Sequence, residues 1–157
     1  MIDCRNYALR LITIKDRTEK EIRGKLSEKG FEENIIEDEI AFLKDYGYID
    51  DESYAKHFAN DAINLKKWGK LRIRTELFKR GIDRETVDNT LADAFFEDCT
   101  DKIAQQLESR FKNSDLSNLK ERTRIFNYFL RRGYTPEEIK GAINRACSFC
   151  DILTDEY

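Results

Sequence analysis

Apolar residues return at fixed offsets from three glycines, in "EIRGKLSEKGFEENIIEDEI", "RIRTELFKRGIDRETVDNTL" and "RIFNYFLRRGYTPEEIKGAI". With Gly30, Gly81 and Gly133 as a shared zero, Ile22, Ile73 and Ile125 stand eight positions before, and Leu26, Leu77 and Phe129 four before. Phe31, Ile82 and Tyr134 stand one after, Ile36, Val87 and Ile139 six after, and Ile40, Leu91 and Ile143 ten after. The zeros are 51 and 52 residues apart, the kind of period that marks a repeat architecture. Positions four apart share one helix face, and a glycine just past the last of them supplies the left-handed conformation that ends a helix. A second helix then opens on early acids (Glu32 and Glu33, Asp83 and Glu85) or on Thr135 followed by Pro136, Glu137 and Glu138, residues suited to a first turn. A third periodic stretch precedes each pair, at roughly 3–15, 51–65 and 100–113. The pattern predicts an all-α protein of three tandem three-helix repeats forming an elongated, curved array. The repeats cover 1–49, 50–98 and 99–150, with an acidic C-terminal tail at 151–157.

The acidic, tyrosine-rich stretch "DYGYIDDESYA" is then a joint between repeats and not a metal or acid–base site. Gly47 ends the last helix of the first repeat, and Tyr48 and Ile49 are placed to pack there. Asp50 or Asp51 caps the next helix, whose Tyr54, Phe58 and Ala62 face inward.

Composition agrees with narrow amphipathic helices: 38% of the 157 residues are charged and Pro136 is the single proline. No run of eighteen apolar residues occurs and the first residues lack a signal-peptide pattern, so the expectation is a cytoplasmic protein without membrane attachment. Cys4, Cys99, Cys147 and Cys150 are too scattered for a disulfide framework and read as free, partly buried thiols. The Cys147/Cys150 pair has no second pair and no nearby histidine, so no metal is expected; His57 reads as a surface residue. Phosphate loops, dinucleotide fingerprints, HExxH and oriented nucleophiles are all missing, which argues for no cofactor and against an enzyme.

A net charge of −3 opposes simple coating of nucleic acid, but the charge is unevenly placed. Lys66, Lys67, Lys70, Arg72, Arg74, Lys79 and Arg80 cluster against the single acid Glu76, and Lys120, Arg122, Arg124, Arg131 and Arg132 against Glu121. Arg72 and Lys79 hold the same repeat positions as Arg124 and Arg131, seven residues apart on one helix face, where the first repeat has Glu21 and Glu28. The second and third repeats therefore present a basic face suited to a polyanion or an acidic protein groove. The candidate binding residues are Lys66, Lys67, Lys70, Arg72, Arg74, Lys79 and Arg80 with Arg124, Arg131 and Arg132. The bland alternative is a solvated face with local pairing to Glu76 and Glu121. Trp68, the lone tryptophan, reads as a packing residue ahead of a helix more than as a stacking platform.

"GYIDDESYAKHF" followed by "WGKLRIRTELFKRGID", with "LKERTRIFNYFLRRGYTPEEIKGAI" late in the chain and "YALRLITIKDRTEKEIRGKLSEKGF" early, resembles the RecX family of bacterial recombination regulators over about residues 5–147. Lys70 stands where that family often has proline. The resemblance implies a protein that binds the recombinase RecA, lodged in the groove of its filament on single-stranded DNA and touching the DNA directly or through the filament; a monomer is the default expectation. It implies a negative modulator that suppresses the filament's ATP hydrolysis and strand exchange and limits its growth. Two other classes stay open: a helix-turn-helix-like DNA-binding transcription regulator, and a helical-repeat adaptor for an unrelated protein.

Overall fold

The computed structural model describes residues 3–96 and 100–154, with side chains in the last helix described through residue 147. Within them the chain forms nine α-helices and no strand: α1 (Cys4–Ile14), α2 (Glu19–Lys29), α3 (Glu33–Asp45), α4 (Asp51–Asn64), α5 (Lys70–Lys79), α6 (Arg84–Ala94), α7 (Thr100–Arg110), α8 (Leu119–Arg132) and α9 (Pro136–Thr154). They follow the predicted order of three helices per repeat. Gly30, Gly81 and Gly133 take φ of 92°, 84° and 90°. At each, the following amide reaches back to close the helix: Phe31 N to Leu26 O at 3.3 Å, Ile82 N to Leu77 O at 3.2 Å and Tyr134 N to Phe129 O at 3.2 Å. α9 continues through Thr154, into the stretch read as an acidic tail; residues 155–157 lie outside the described ones, as do Cys99 and the boundary expected at 98/99.

The repeat offsets name the core. Ile22, Ile73 and Ile125, Leu26, Leu77 and Phe129, and Ile36, Val87 and Ile139 are all fully buried, so one apolar template is filled three times. In the first repeat, α1, α2 and α3 close around Cys4, Ala8, Ile22, Leu26, Ile36, Ile40, Leu43 and Ile49. In the third, α7, α8 and α9 close around Ile103, Leu107, Ile125, Phe129, Tyr134, Ile139, Ala142 and Ile143. Each such Ile, Leu or Phe contributes about 1.5–3 kcal/mol by leaving water.

Two side-chain expectations need correction. Tyr48 is exposed, and Ile49 alone packs at the joint, because the turn at Gly47 returns the amides of Tyr48 and Ile49 to Leu43 O and only the second then faces the core. On α4 the inward line is Ala55, Ala59, Ala62 and Ile63, small residues that permit close approach. Tyr54 and Phe58 stay half-buried and stack on each other with centroids 6.2 Å apart, which leaves the Tyr54 hydroxyl free to accept from Arg80.

The chain divides into two compact bodies that cut across the middle repeat. Body one is Met1–Asp61 with Arg74–Ala94, and body two is Ala62–Ile73 with Phe95–Tyr157.

Candidate functional site

The site is built on the turn between α4 and α5, in body two. Lys67 has φ 56°, the one non-glycine left-handed residue among those described, and Trp68 N donates to Ala62 O at 3.0 Å. Such a conformation is uncommon for lysine and persists where surrounding bonds fix it. Those bonds come from the end of α8: the Arg132 guanidinium donates to Lys66 O, and the Tyr134 hydroxyl to Lys67 O at 3.3 Å. The backbones then meet, with Gly69 N donating to Arg132 O at 2.8 Å and Leu71 N to Gly133 O at 3.0 Å. A Cβ on Gly69 would lie 2.5 Å from the carbonyl carbon of Gly133, so only glycine allows this approach.

The locked turn gathers Lys66, Lys67, Lys70 and Arg72 with Arg131 and Arg132 of α8. The Arg72 guanidinium lies 4.1 Å and the Lys66 ammonium 4.6 Å from the centre of the half-buried Trp68 ring. Arg72 Nη1 also donates to Arg131 O at 3.2 Å. Arg132 lies 5.0 Å and Arg110 5.1 Å from the centre of the Tyr128 ring. Cation–π contacts of this kind contribute about 0.5–1 kcal/mol each at exposed sites and hold long side chains in place. Lys67, Lys70, Arg72, Arg131 and Arg132 form no ion pair with any described acid. Arg131 and Arg132 suit the C-terminal end of α8, but Lys70 and Arg72 sit in the first turn of α5, which holds no acid. Positive side chains add there to the positive end of the helix dipole, and an anion would relieve both.

The other four assigned residues are engaged by acids. In body one, Arg74 pairs with Asp88 at 2.9 Å, and Lys79 and Arg80 both pair with Glu76 at 3.0 Å. Hydrogen bonds from Arg80 and then Lys79 hold the Glu76 carboxyl below the usual carboxylate range. Arg80 also lies 4.5 Å from the centre of the Phe58 ring. In body two, Arg124 pairs with Glu121 at 3.0 Å. The seven-residue pairs thus split, with Arg72 and Arg131 unpaired by acids and Lys79 and Arg124 paired. Sequence reasoning missed Tyr128 and Tyr134 as supports of the site. Tyr134 gave a signal, being a hydroxyl-bearing residue where the other repeats carry Phe31 and Ile82.

The same joint occurs in body one with different chemistry. Gly69 stands twelve residues before its zero and donates to the carbonyl one before the next zero; so does Thr18, whose hydroxyl donates to Arg80 O at 2.7 Å. Lys20 Nζ donates to Lys79 O at 3.3 Å, as Arg72 does to Arg131 O. Here acids surround the lysine: Glu19, Asp51 and Asp83 line the cleft beside Lys20, Arg23 and Lys44. Asp51 accepts from Glu19 N at 2.9 Å, and burial pushes its carboxyl above its ordinary value. In the third repeat the matching place is Glu121, and α8 starts fourteen residues before its zero where α2 and α5 start eleven before theirs.

Nothing else described has the makings of a reactive centre. Cys4 is buried, which pushes its thiol up, Cys147 is half-buried, and His57 is exposed. No described group of three His, Cys, Asp or Glu residues is arranged to hold a metal, and no described helix is long and apolar enough to cross a membrane.

Comparison with known proteins matches the order of three three-helix repeats. Family models described as RecX, first, second and third three-helix domains match residues 4–43, 50–91 and 97–143. The chain is 35% identical over 136 residues to Regulatory protein RecX of Clostridium perfringens (strain 13 / Type A), covering 85% of this chain and 63% of that protein. It therefore spans just under two thirds of that relative's length. It is 32% identical over 160 residues to Regulatory protein RecX of Clostridioides difficile (strain 630), covering 99% of this chain and 71% of the relative. Among solved structures, the crystal structure of RecX from Lactobacillus salivarius matches with a TM-score of 0.77 at 25% identity, over 90% of this chain and 93% of that one.

Proposed function

The chain belongs to the RecX family, and from that premise we propose that it is a negative modulator of the RecA recombinase, binding the recombinase filament on single-stranded DNA, inhibiting its ATPase and strand-exchange activities and limiting filament growth. It acts as a monomer, in the cytoplasm, by binding alone. A repeat protein spreads several modest contacts over successive units, so affinity accumulates without a catalytic step.

The observation that carries this reading is the locked turn, where Lys67, Lys70, Arg72, Arg131 and Arg132 stand without acid partners around Trp68. Lys66 completes the patch. Arg74, Lys79 and Arg80 on body one and Arg124 on body two are further binding residues, each able to exchange its present acid for one on the partner at little net gain. Arg72 is a poor residue to reverse, since its guanidinium also holds the joint through Arg131 O. Lys67 and Arg131 are better, because their exposed side chains take no part in it.

The test is ATP hydrolysis by the cognate recombinase on single-stranded DNA, with this protein titrated in well below one per recombinase. Wild type inhibits; Lys67→Glu combined with Arg131→Glu loses most of the inhibition while keeping its helical content. Undiminished ATP hydrolysis at equal ratios with a folded wild-type sample would overturn the proposal.

A further inference from the structure

We infer that the patch on body two docks an acidic protein segment that also carries large apolar side chains, in preference to a sugar–phosphate backbone. The inference deepens the function proposed above and rests on it for the identity of the surface.

Three leucines lie among the cations. Leu65, beside Lys66, is 76% exposed; Leu71, between Lys70 and Arg72, is 46% exposed; Leu130, beside Arg131, is 43% exposed. The backbones of Leu71 and Leu130 are both tied to Gly133: Leu71 N donates to Gly133 O, and Gly133 N donates to Leu130 O, each at 3.0 Å. A single exposed leucine means nothing, but Leu71 and Leu130 beside the acid-free Lys70, Arg72 and Arg131, with Leu65 close in sequence, make a surface with two requirements at once. A phosphodiester chain answers the charge and leaves the leucines wet.

Bases would need an aromatic face to stack on. Trp68 already lies under Arg72 and Lys66, and Tyr128 under Arg132 and Arg110, so both aromatic platforms of the patch are occupied by its own cations. A protein segment bearing carboxylates and leucine-sized or aromatic side chains answers both requirements. The charge complementarity is specific to body two, because the equivalent joint in body one is neutralised by Glu19, Asp51 and Asp83.

The test uses the full chain and three labelled probes: a peptide of glutamate and leucine, the same peptide with serine for leucine, and an oligothymidylate of equal charge. Binding is followed by probe anisotropy and by the emission of Trp68, the lone tryptophan. At physiological ionic strength the glutamate–leucine peptide is expected to bind about tenfold tighter than the serine peptide, as burial of two half-exposed leucines implies. Leu71→Ser with Leu130→Ser is expected to erase that difference without altering oligothymidylate binding; both positions are exposed, so the fold survives. Equal affinity for the two peptides, or tighter binding of oligothymidylate than of the glutamate–leucine peptide, overturns the inference. If the peptides bind alike while the protein still inhibits the recombinase, the function stands and this inference alone fails. If the leucine dependence is seen but the recombinase proves insensitive, the docking chemistry stands and the identity of the partner fails.

Discussion

Three glycine-to-alanine changes separate what the repeat frame requires of the backbone from what the joint requires of space. Gly30 and Gly133 have nearly the same φ, 92° and 90°, but a Cβ on Gly30 meets nothing within 4 Å, whereas one on Gly133 would lie 2.4 Å from Arg72 Cβ and N. Gly69 isolates the remaining factor, since its backbone is not left-handed and its added Cβ would lie 2.5 Å from Gly133 C and O. Gly30→Ala should therefore cost only the left-handed penalty, about 1–2 kcal/mol, partly offset through the less flexible unfolded chain. Gly69→Ala should cost the overpacking alone, about 1–3 kcal/mol, because the obstructing atoms are backbone. Gly133→Ala should show both, about 3 kcal/mol or more, and at about 2–4 °C per kcal/mol for a chain of this size it should melt clearly below Gly30→Ala. Circular dichroism follows all three, and Trp68 emission follows body two, where it sits at the affected joint. Gly69→Ala and Gly133→Ala should also weaken recombinase inhibition below their melting temperatures, with Gly30→Ala neutral. If Gly133→Ala melted no lower than Gly30→Ala, the close approach that locks the cation patch would be refuted.

Further expectations follow from the same contacts. Thr18→Val removes a buried hydroxyl that donates to Arg80 O and accepts from Glu21 N, and should lower stability by about 1–2 kcal/mol in a urea titration, with Thr18→Ser restoring most of it. Burial raises the Asp51 carboxyl, so the folded state holds its proton to higher pH and this group's contribution falls as pH rises through the window between unfolded and folded values. Asp51→Asn keeps the acceptor for Glu19 N and should melt at or above wild type at neutral pH, with no advantage once pH drops below about 4. Glu19 behaves oppositely: the hydrogen bond from Lys44, then that from Arg23, lowers its carboxyl, so its contribution is present above about pH 4.3 and is lost as pH falls through the lower folded value. Glu19→Gln should accordingly depress the melting temperature at neutral pH and be nearly silent in strong acid.

The periodic part of the sequence carried the fold. Offsets of −8, −4 and +6 from the zero glycines are buried in every repeat because a helix face is a local property, set by residues a turn apart. The same logic reached the local pairs of Glu76 and Glu121 with the basic residues three and four positions on. It did not reach Arg74 with Asp88, which are on different helices, or the joint bonds, which join positions 62 and 63 residues apart through backbone carbonyls that no side-chain pattern reveals. Ala62 on α4 is buried as expected, but Tyr54 and Phe58 stood in place of Ala55 and Ala59 because bulky side chains outweigh small ones in any hydrophobic reading, although close packing favours the smaller pair. Within the basic cluster, composition could not distinguish Arg72, unpaired by acids, from Lys79, seven residues on and paired.

The early start of α8 sets a limit of another kind. α2 and α5 each offer, at their first turn, a donor and a cation to the end of the next repeat's middle helix; α8 begins three residues sooner and puts Glu121 where that donor would be. The Gly30 end of α2, meanwhile, is open. Stacked repeats become fibres when every unit can lock on to another copy, and the third repeat lacks the donor and holds Arg124, at the place of Arg72, against Glu121. Raising its concentration should therefore not lengthen the stack, and duplicating its last repeat would add a unit that cannot lock on until the first turn of α8 is rewritten.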